Sequence, residues 1–186
     1  MNIYVPLGIE DGELAHPLNT SDFESFDLLI DGTSRIASWK PLRMALITRE
    51  HDGRALKSVD APWLGSHALV VKRSAVDAMA PAFQKWGELL TLSCEDCELF
   101  VFNPLVRIDA LDEDASQVDR FSSGSIMRIK RHVFRADRLA DVAAFKIPNL
   151  RVSPTYVSQE FVSAWRMSNL SGLRFERVWS SSDHAA

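Results

Sequence analysis

The chain is poor in cysteine, with two thiols among 186 residues. Two cysteines make no disulfide framework, so the fold must be held by its core. No apolar run approaches the roughly 18 residues of a membrane-spanning helix. The opening Met1-Asn2-Ile3-Tyr4-Val5-Pro6 has neither a basic nor an apolar stretch and does not read as a secretion signal. These absences predict a cytoplasmic protein without membrane contact. A long Gly/Ser/Pro linker is also missing, as is any internal repeat at a period of roughly 20–50 residues.

What is present is enough for a folded domain. Hydrophobic residues make up 46% of the chain and charged residues 25%. A chain of this length can bury roughly 70% of the surface that it exposes when unfolded. Twenty-one Lys and Arg stand against 25 Asp and Glu, a net charge of −4. That balance does not suit a protein that coats nucleic acid, which needs excess positive charge to release counterions.

The charge is unevenly spread. Residues 1–34 hold seven acids (Glu10, Asp11, Glu13, Asp22, Glu24, Asp27 and Asp31) and no Lys or Arg. Such a segment is a solvated arm or a docking surface for a basic partner. Phe23, Phe26, Leu28, Leu29 and Ile30 give it something to bury.

Periodicity predicts short strands at residues 2–7, 44–47, 68–71, 89–92, 99–102, 126–134, 145–147, 155–157 and 173–179. In the 126–134 strand, Arg128, Lys130 and His132 are expected on one face, with Met127, Ile129 and Val133 on the other. Ser74 and Asp77 have capping-box spacing and open a helix carrying Val76, Met79, Ala80 and Phe83. Pro81 should kink this helix, and Gly87 should stop it. Ser158 can cap a last helix bearing Phe161, Val162, Trp165 and Met167, which ends near Asn169 or Gly172. The strands do not alternate regularly with helices. The expected class is therefore α+β, a mostly antiparallel sheet with a few helices packed on one face. The organisation expected is an acidic segment 1–34, a domain 35–179 and a frayed tail 180–186.

Motifs for chemistry are few. Cys94 and Cys97 form a C-x-x-C pair, but Glu95 and Asp96 between them oppose a thiolate. A zinc site needs about four ligands, and no second pair or spaced histidines supply them. The plain reading is a β-turn with two small apolar residues. The five histidines are scattered, and Gly65-Ser66-His67 places a hydroxyl and an imidazole on opposite faces of an extended chain. Neither metal nor other cofactor is expected. Residues 109–119 hold five acids, with no oxygen cage of EF-hand spacing. Arg128, Lys130, Arg131, His132, Arg135 and Arg138 form a basic stripe whose simplest role is to face those acids. Five tryptophans are core or interface anchors.

The order of segments adds more. Asp109-Ala110-Leu111-Asp112 precedes Ser116, and the chain ends Tyr156…Phe161…Gly172-Leu173…Phe175…Trp179. Over residues 35–179 this pattern resembles the Imm11 family of immunity proteins, formerly a domain of unknown function, found beside bacterial polymorphic toxins. The resemblance implies a cytosolic protein that binds a cognate toxin domain. It supplies no catalytic residues, so no enzyme activity and no small-molecule substrate are expected. It also implies structural roles. Asp109 and Asp112 would accept backbone hydrogen bonds, Ser116 would cap a helix, and Gly172 would supply a positive-φ exit.

The function this suggests is stoichiometric occlusion of a toxin. A basic toxin domain would be steered by acids, for which the partner-binding candidates are Asp109, Asp112, Glu113, Asp114 and Asp119, with Glu24, Asp27 and Asp31. An adaptor or chaperone for a secreted effector is the alternative, and an enzyme reversing toxin damage is a third. Direct nucleic-acid binding is not expected, because the basic stripe lacks interleaved aromatics.

Overall fold

A computed structural model of the chain describes residues 1–184. Eleven strands and three α-helices follow one another as β1 (Asn2–Gly8), β2 (Leu14–Pro17), α1 (Asp22–Leu29), β3 (Arg43–Ile47), β4 (Leu69–Lys72), α2 (Arg73–Trp86), β5 (Gly87–Cys94), β6 (Leu99–Pro104), β7 (Gln117–Arg120), β8 (Ile126–Arg131), β9 (Ala144–Phe145), β10 (Tyr156–Ser158), α3 (Gln159–Met167) and β11 (Leu173–Ser180). Short 3-10 turns occupy Ala136–Leu139 and Ser181–His184. The fold is α+β, with mostly antiparallel pairing.

Two sheets and a ribbon result. The four-stranded sheet runs β11-β1-β10-β9, the five-stranded sheet β2-β3-β5-β6-β4, and β7 pairs with β8 alone. One pair, β3 with β5, is parallel. β1 comes from the acidic first 34 residues, yet it lies between β11 and β10. Of the expected tail, Ser180 completes β11 and Ser181–His184 form a turn, while Ala185 and Ala186 lie outside the described residues.

Period-2 alternation divides the interior into three cores. On β6, Phe100 and Phe102 face α2 and α3, while Leu99 and Val101 face the other way, toward Phe26 and Ile30 of α1 and its C-terminal end. α1 and α2 thus cover opposite faces of the five-stranded sheet, rather than sharing one face. On β1, Tyr4 faces the helix core and Ile3 and Val5 face a third core with Phe134, Phe145, Tyr156 and Trp179. Phe134 meets Phe145, Tyr156 and Trp179 edge to face, with the Phe134 and Trp179 centroids 5.8 Å apart, while Phe145 and Tyr156 stack.

Local chemistry explains most boundaries. Ser158 accepts from the Glu160 amide at 3.2 Å and starts α3 as its spacing predicts. α3 ends before Asn169 (φ 52°) and Gly172 (φ 100°), both left-handed. α2 kinks at Met79 (φ −121°), two residues before Pro81.

Several expectations are corrected. The Ser74–Asp77 capping box does not form, because the Ser74 hydroxyl donates to Asp60 at 2.6 Å instead. Gly87 does end α2 as its C-cap, but in an extended conformation (φ 179°) rather than a left-handed one, and its need for glycine is close approach: a Cβ would lie 2.3 Å from the Asn103 carbonyl oxygen. The 126–134 strand stops at Arg131, and irregular register with β7 breaks its alternation. His132 therefore leaves the basic stripe and turns in against Phe134 and Tyr156. Met167 leaves the core and is 83% exposed.

Candidate functional site

The first acidic group sits on α1. Phe26 and Ile30, one turn apart, fix that segment to the core at 0% and 2% exposure. Glu24, Phe23 and Leu28 are left outward. Glu24 approaches Arg151 at 3.6 Å, and both side chains are largely exposed. Asp27 lies 3.3 Å from Nε2 of His67, without the alignment of a hydrogen bond. Burial pushes the His67 pKa down; Asp27 opposes this, and Lys146 adds to it. The imidazole is therefore neutral at pH 7. Asp31 accepts from the Thr33 amide at 3.0 Å and from Arg35 at 3.1 Å. Burial raises the Asp31 pKa, but these partners outweigh it and hold the carboxyl below its usual value.

The second group sits on the loop before β7. Ala110 and Leu111 are buried and pin this loop to the third core. Asp112 accepts from the Ala115 amide at 3.2 Å, as the family resemblance implies. Asp109 instead meets a side chain, Arg138, at 3.5 Å. Ser116 caps no helix. Its hydroxyl bridges both main-chain groups of Val133, accepting from the amide at 3.0 Å and donating to the carbonyl at 3.3 Å. It closes the loop onto the strand side rather than starting a helix, because an extended strand follows it.

The basic stripe faces these acids. Glu113 pairs with Arg120 at 2.5 Å, and Asp119 pairs with Lys130 at 2.7 Å and Arg128 at 3.0 Å. The Arg120 and Asn149 hydrogen bonds hold the Glu113 carboxyl below its usual pKa. Asp119 is lowered as well, first by its bond from Lys130, with Arg128 adding to it. Among the described residues, Asp112 and Asp114 have no ion-pair partner.

The structure brings the two groups side by side through the turn at residues 148–151. Arg151 reaches Glu24, while Asn149, two residues earlier, donates to Glu113. A hollow of about 420 Å3 lies against Glu113, Arg120, Asn149 and Arg151. A second, of about 190 Å3, lies between Asp27, Asp31, Arg107 and Arg151. Pro148 and Arg151 line both. Sequence reasoning missed Asn149 and Arg151, whose significance is only spatial.

Other sites offer less. A larger hollow of about 600 Å3 lies beside His16, His51, Leu14, Ile47 and Leu56. Of the acids on its rim, Asp11 and Glu50 are held by the Arg54 guanidinium, and Asp52 accepts from the Arg54 amide at 2.9 Å. Cys94 and Cys97 are free thiols that pack against the core under the five-stranded sheet. Burial, followed by the neighbouring Cys94, pushes the Cys97 thiol up to about 11. Among the described residues, no three His, Cys, Asp or Glu side chains gather closely enough to hold a metal ion, and no helix is long and apolar enough to cross a membrane.

Comparison with known families finds a match to the model of the immunity protein family Imm11 over residues 40–180. That span takes in β3 through β11 and leaves β1, β2 and α1 outside. A search of curated proteins finds no match.

Proposed function

The chain belongs to the Imm11 immunity protein family, and we propose that it neutralises a cognate toxin domain by stoichiometric occlusion, with the acids around the 148–151 turn as its docking surface. Membership implies a toxin-neutralising role. The observation that supports this surface is the pair of contacts from one short turn, Arg151 to Glu24 and Asn149 to Glu113, which sets two acidic segments distant in sequence against each other.

Neutralisation needs an affinity that leaves almost no free toxin. A nanomolar complex corresponds to about −12 kcal/mol. Acids steer a basic toxin into place and set the association rate, while apolar contacts supply most of the residence time. α1 offers both, with Leu28 at 52% and Phe23 at 36% exposure beside Asp22, Glu24 and Asp27. The β7–β8 acids are more fully satisfied by their own arginines and lysine, so α1 leads and Asp112 and Asp114 assist.

Protection should require about one copy per toxin and should survive Cys94→Ser. Lysine reversal of Glu24 and Asp27 should slow association with the co-expressed toxin domain at least about 10-fold, and reversal of Asp112 with Asp114 should slow it less. Protection at trace copy number, or unchanged association after both reversals, would remove this mechanism.

A further inference from the structure

β11 ends the four-stranded sheet, and among the described residues β1 is its one strand partner. Its other edge is eight residues long, and among the described residues no strand or bridge covers it. The register says which backbone groups point there. The Ile9 amide donates to the Gly172 carbonyl at 3.2 Å, so that pair is a bonded one. Bonded pairs recur every second residue in an antiparallel ladder. Arg174 opposite Leu7 and Glu176 opposite Val5 are therefore bonded to β1. Leu173, Phe175 and Arg177 direct their amides and carbonyls outward. Pro6 stands opposite Phe175 and has no amide to offer, in agreement with this phase.

An open edge of this length is a template for another strand. We propose that it pairs with β11 of a second copy of this chain, antiparallel, about a two-fold axis at Phe175, so that the two four-stranded sheets become one. Charge selects both the occupant and the register. Only outward groups can bond, so the axis must fall on a residue and not between two. An axis at Arg174, Glu176 or Arg177 sets that residue against its own copy and opposes like charges. An axis at Leu173, Trp179 or Ser180 carries most of the pairing off the strand, and one at Val178 falls on the bulge where β11 gains a residue against β1. An axis at Phe175 places Arg174 opposite Glu176 twice, in the close non-bonded positions where Cα atoms lie about 4.5 Å apart. Leu173 then bonds Arg177 on each side, giving about six backbone hydrogen bonds at two per bonded pair. Arg174 and Glu176 are exposed, and neither has an ion-pair partner among the described residues. The strand thus carries the complement of its own charge pattern. A toxin strand would need to reproduce that pattern by coincidence. No residue of β11 is among the acids proposed to dock the toxin.

Sedimentation velocity of the purified full chain, from about 1 to 200 µM, tests the pairing. Wild type should sediment as a dimer at the upper concentrations. Arg174→Glu and Glu176→Arg should each weaken the dimer at least about 10-fold, because both symmetric pairs turn from attraction to repulsion. The double exchange Arg174→Glu with Glu176→Arg should restore it. Circular dichroism and melting of each variant confirm that the fold is kept, as expected for exposed side chains. A wild type that is monomeric at 200 µM overturns the proposal. So does a dimer indifferent to both single reversals, or one that the double exchange fails to restore. A monomer whose single variants lose co-purification with toxin would assign the edge to the toxin instead, and that also overturns self-pairing.

Discussion

The ammonium of Lys146 donates to the main-chain carbonyl of His67, 2.5 Å away, and to that of Ser153 at 2.9 Å. Lys146 follows β9 in one sheet and His67 precedes β4 in the other, so a single buried side chain joins the two. Asp27 and Asp31 lie near enough to favour its charge. Burial dominates and lowers the Lys146 pKa to about 7.

That shift makes stability depend on pH. The folded value of about 7 lies below the roughly 10.4 of an unfolded lysine. Between the two, the unfolded chain binds the proton more, so stability rises with pH by at most about 1.4 kcal/mol per unit. Urea unfolding at pH 7.5 and 8.5 should show wild type gaining about 1 kcal/mol. Lys146→Met should gain almost none, at the cost of leaving two carbonyls without their donor. Equal pH slopes in the two proteins would contradict this.

His132 is expected to make the fold acid-sensitive. Its Nε2 lies 3.0 Å from the Tyr156 hydroxyl, and burial pushes its pKa down to about 4. The unfolded ring titrates near 6.5. As pH falls from 6.5 toward 4, the unfolded chain takes up a proton that the folded chain refuses, and stability is lost. His67 is shifted in the same direction by burial. Denaturation at pH 6.5, 5.5 and 4.8 should show a shallower loss for His132→Gln than for wild type, which keeps a hydrogen-bonding group beside Tyr156.

Two glycines with positive φ should respond differently to alanine. Gly172 has φ 100°, and a Cβ there would lie 2.4 Å from the Ala61 carbonyl oxygen. Gly53 has φ 86° with nothing within 4 Å. Gly53→Ala should cost about 1 kcal/mol from backbone strain alone. Gly172→Ala should cost at least about 2 kcal/mol, because it adds a clash with main chain that cannot yield. Comparable melting temperatures for the two variants would refute the close approach.

Cys97 should resist alkylation. A pKa of about 11 leaves it roughly 300-fold less thiolate at neutral pH than a free cysteine of pKa about 8.5. Greater intrinsic nucleophilicity offsets part of that deficit. Iodoacetamide at pH 7.5, followed by mass spectrometry, should label Cys97 at least about 10-fold more slowly than free cysteine. The rate should climb steadily as pH is raised to 9.5.

Strands with clear alternation were legible beforehand. Leu99 to Phe102 carry large apolar side chains on both faces because β6 lies between two cores, and such a run reads as a buried strand. α3 was legible because Ser158 and Gly172 are local signals at its two ends. β2 was not legible, since Leu14–Pro17 contains His16 and Pro17 and owes its extension to pairing with β3. β7 was hidden for a related reason: Gln117–Arg120 is polar, and the ladder to β8 is what extends it. Of the candidate surface, the acids were visible as composition. Their neutralisation by Arg120, Arg128 and Lys130 was partly visible as a facing basic stripe.

The chain by itself determined its class, most of its strands, the ends of α3 and the uneven spread of acids, because these follow from interactions within a few residues. Only the folded structure decided that Glu24 and Glu113 both contact the 148–151 turn, that His132 turns inward, and that β11 keeps an edge free of strands among the described residues. Those outcomes depend on contacts between segments tens of residues apart, which are selected by how three cores fill together and leave no trace in local periodicity.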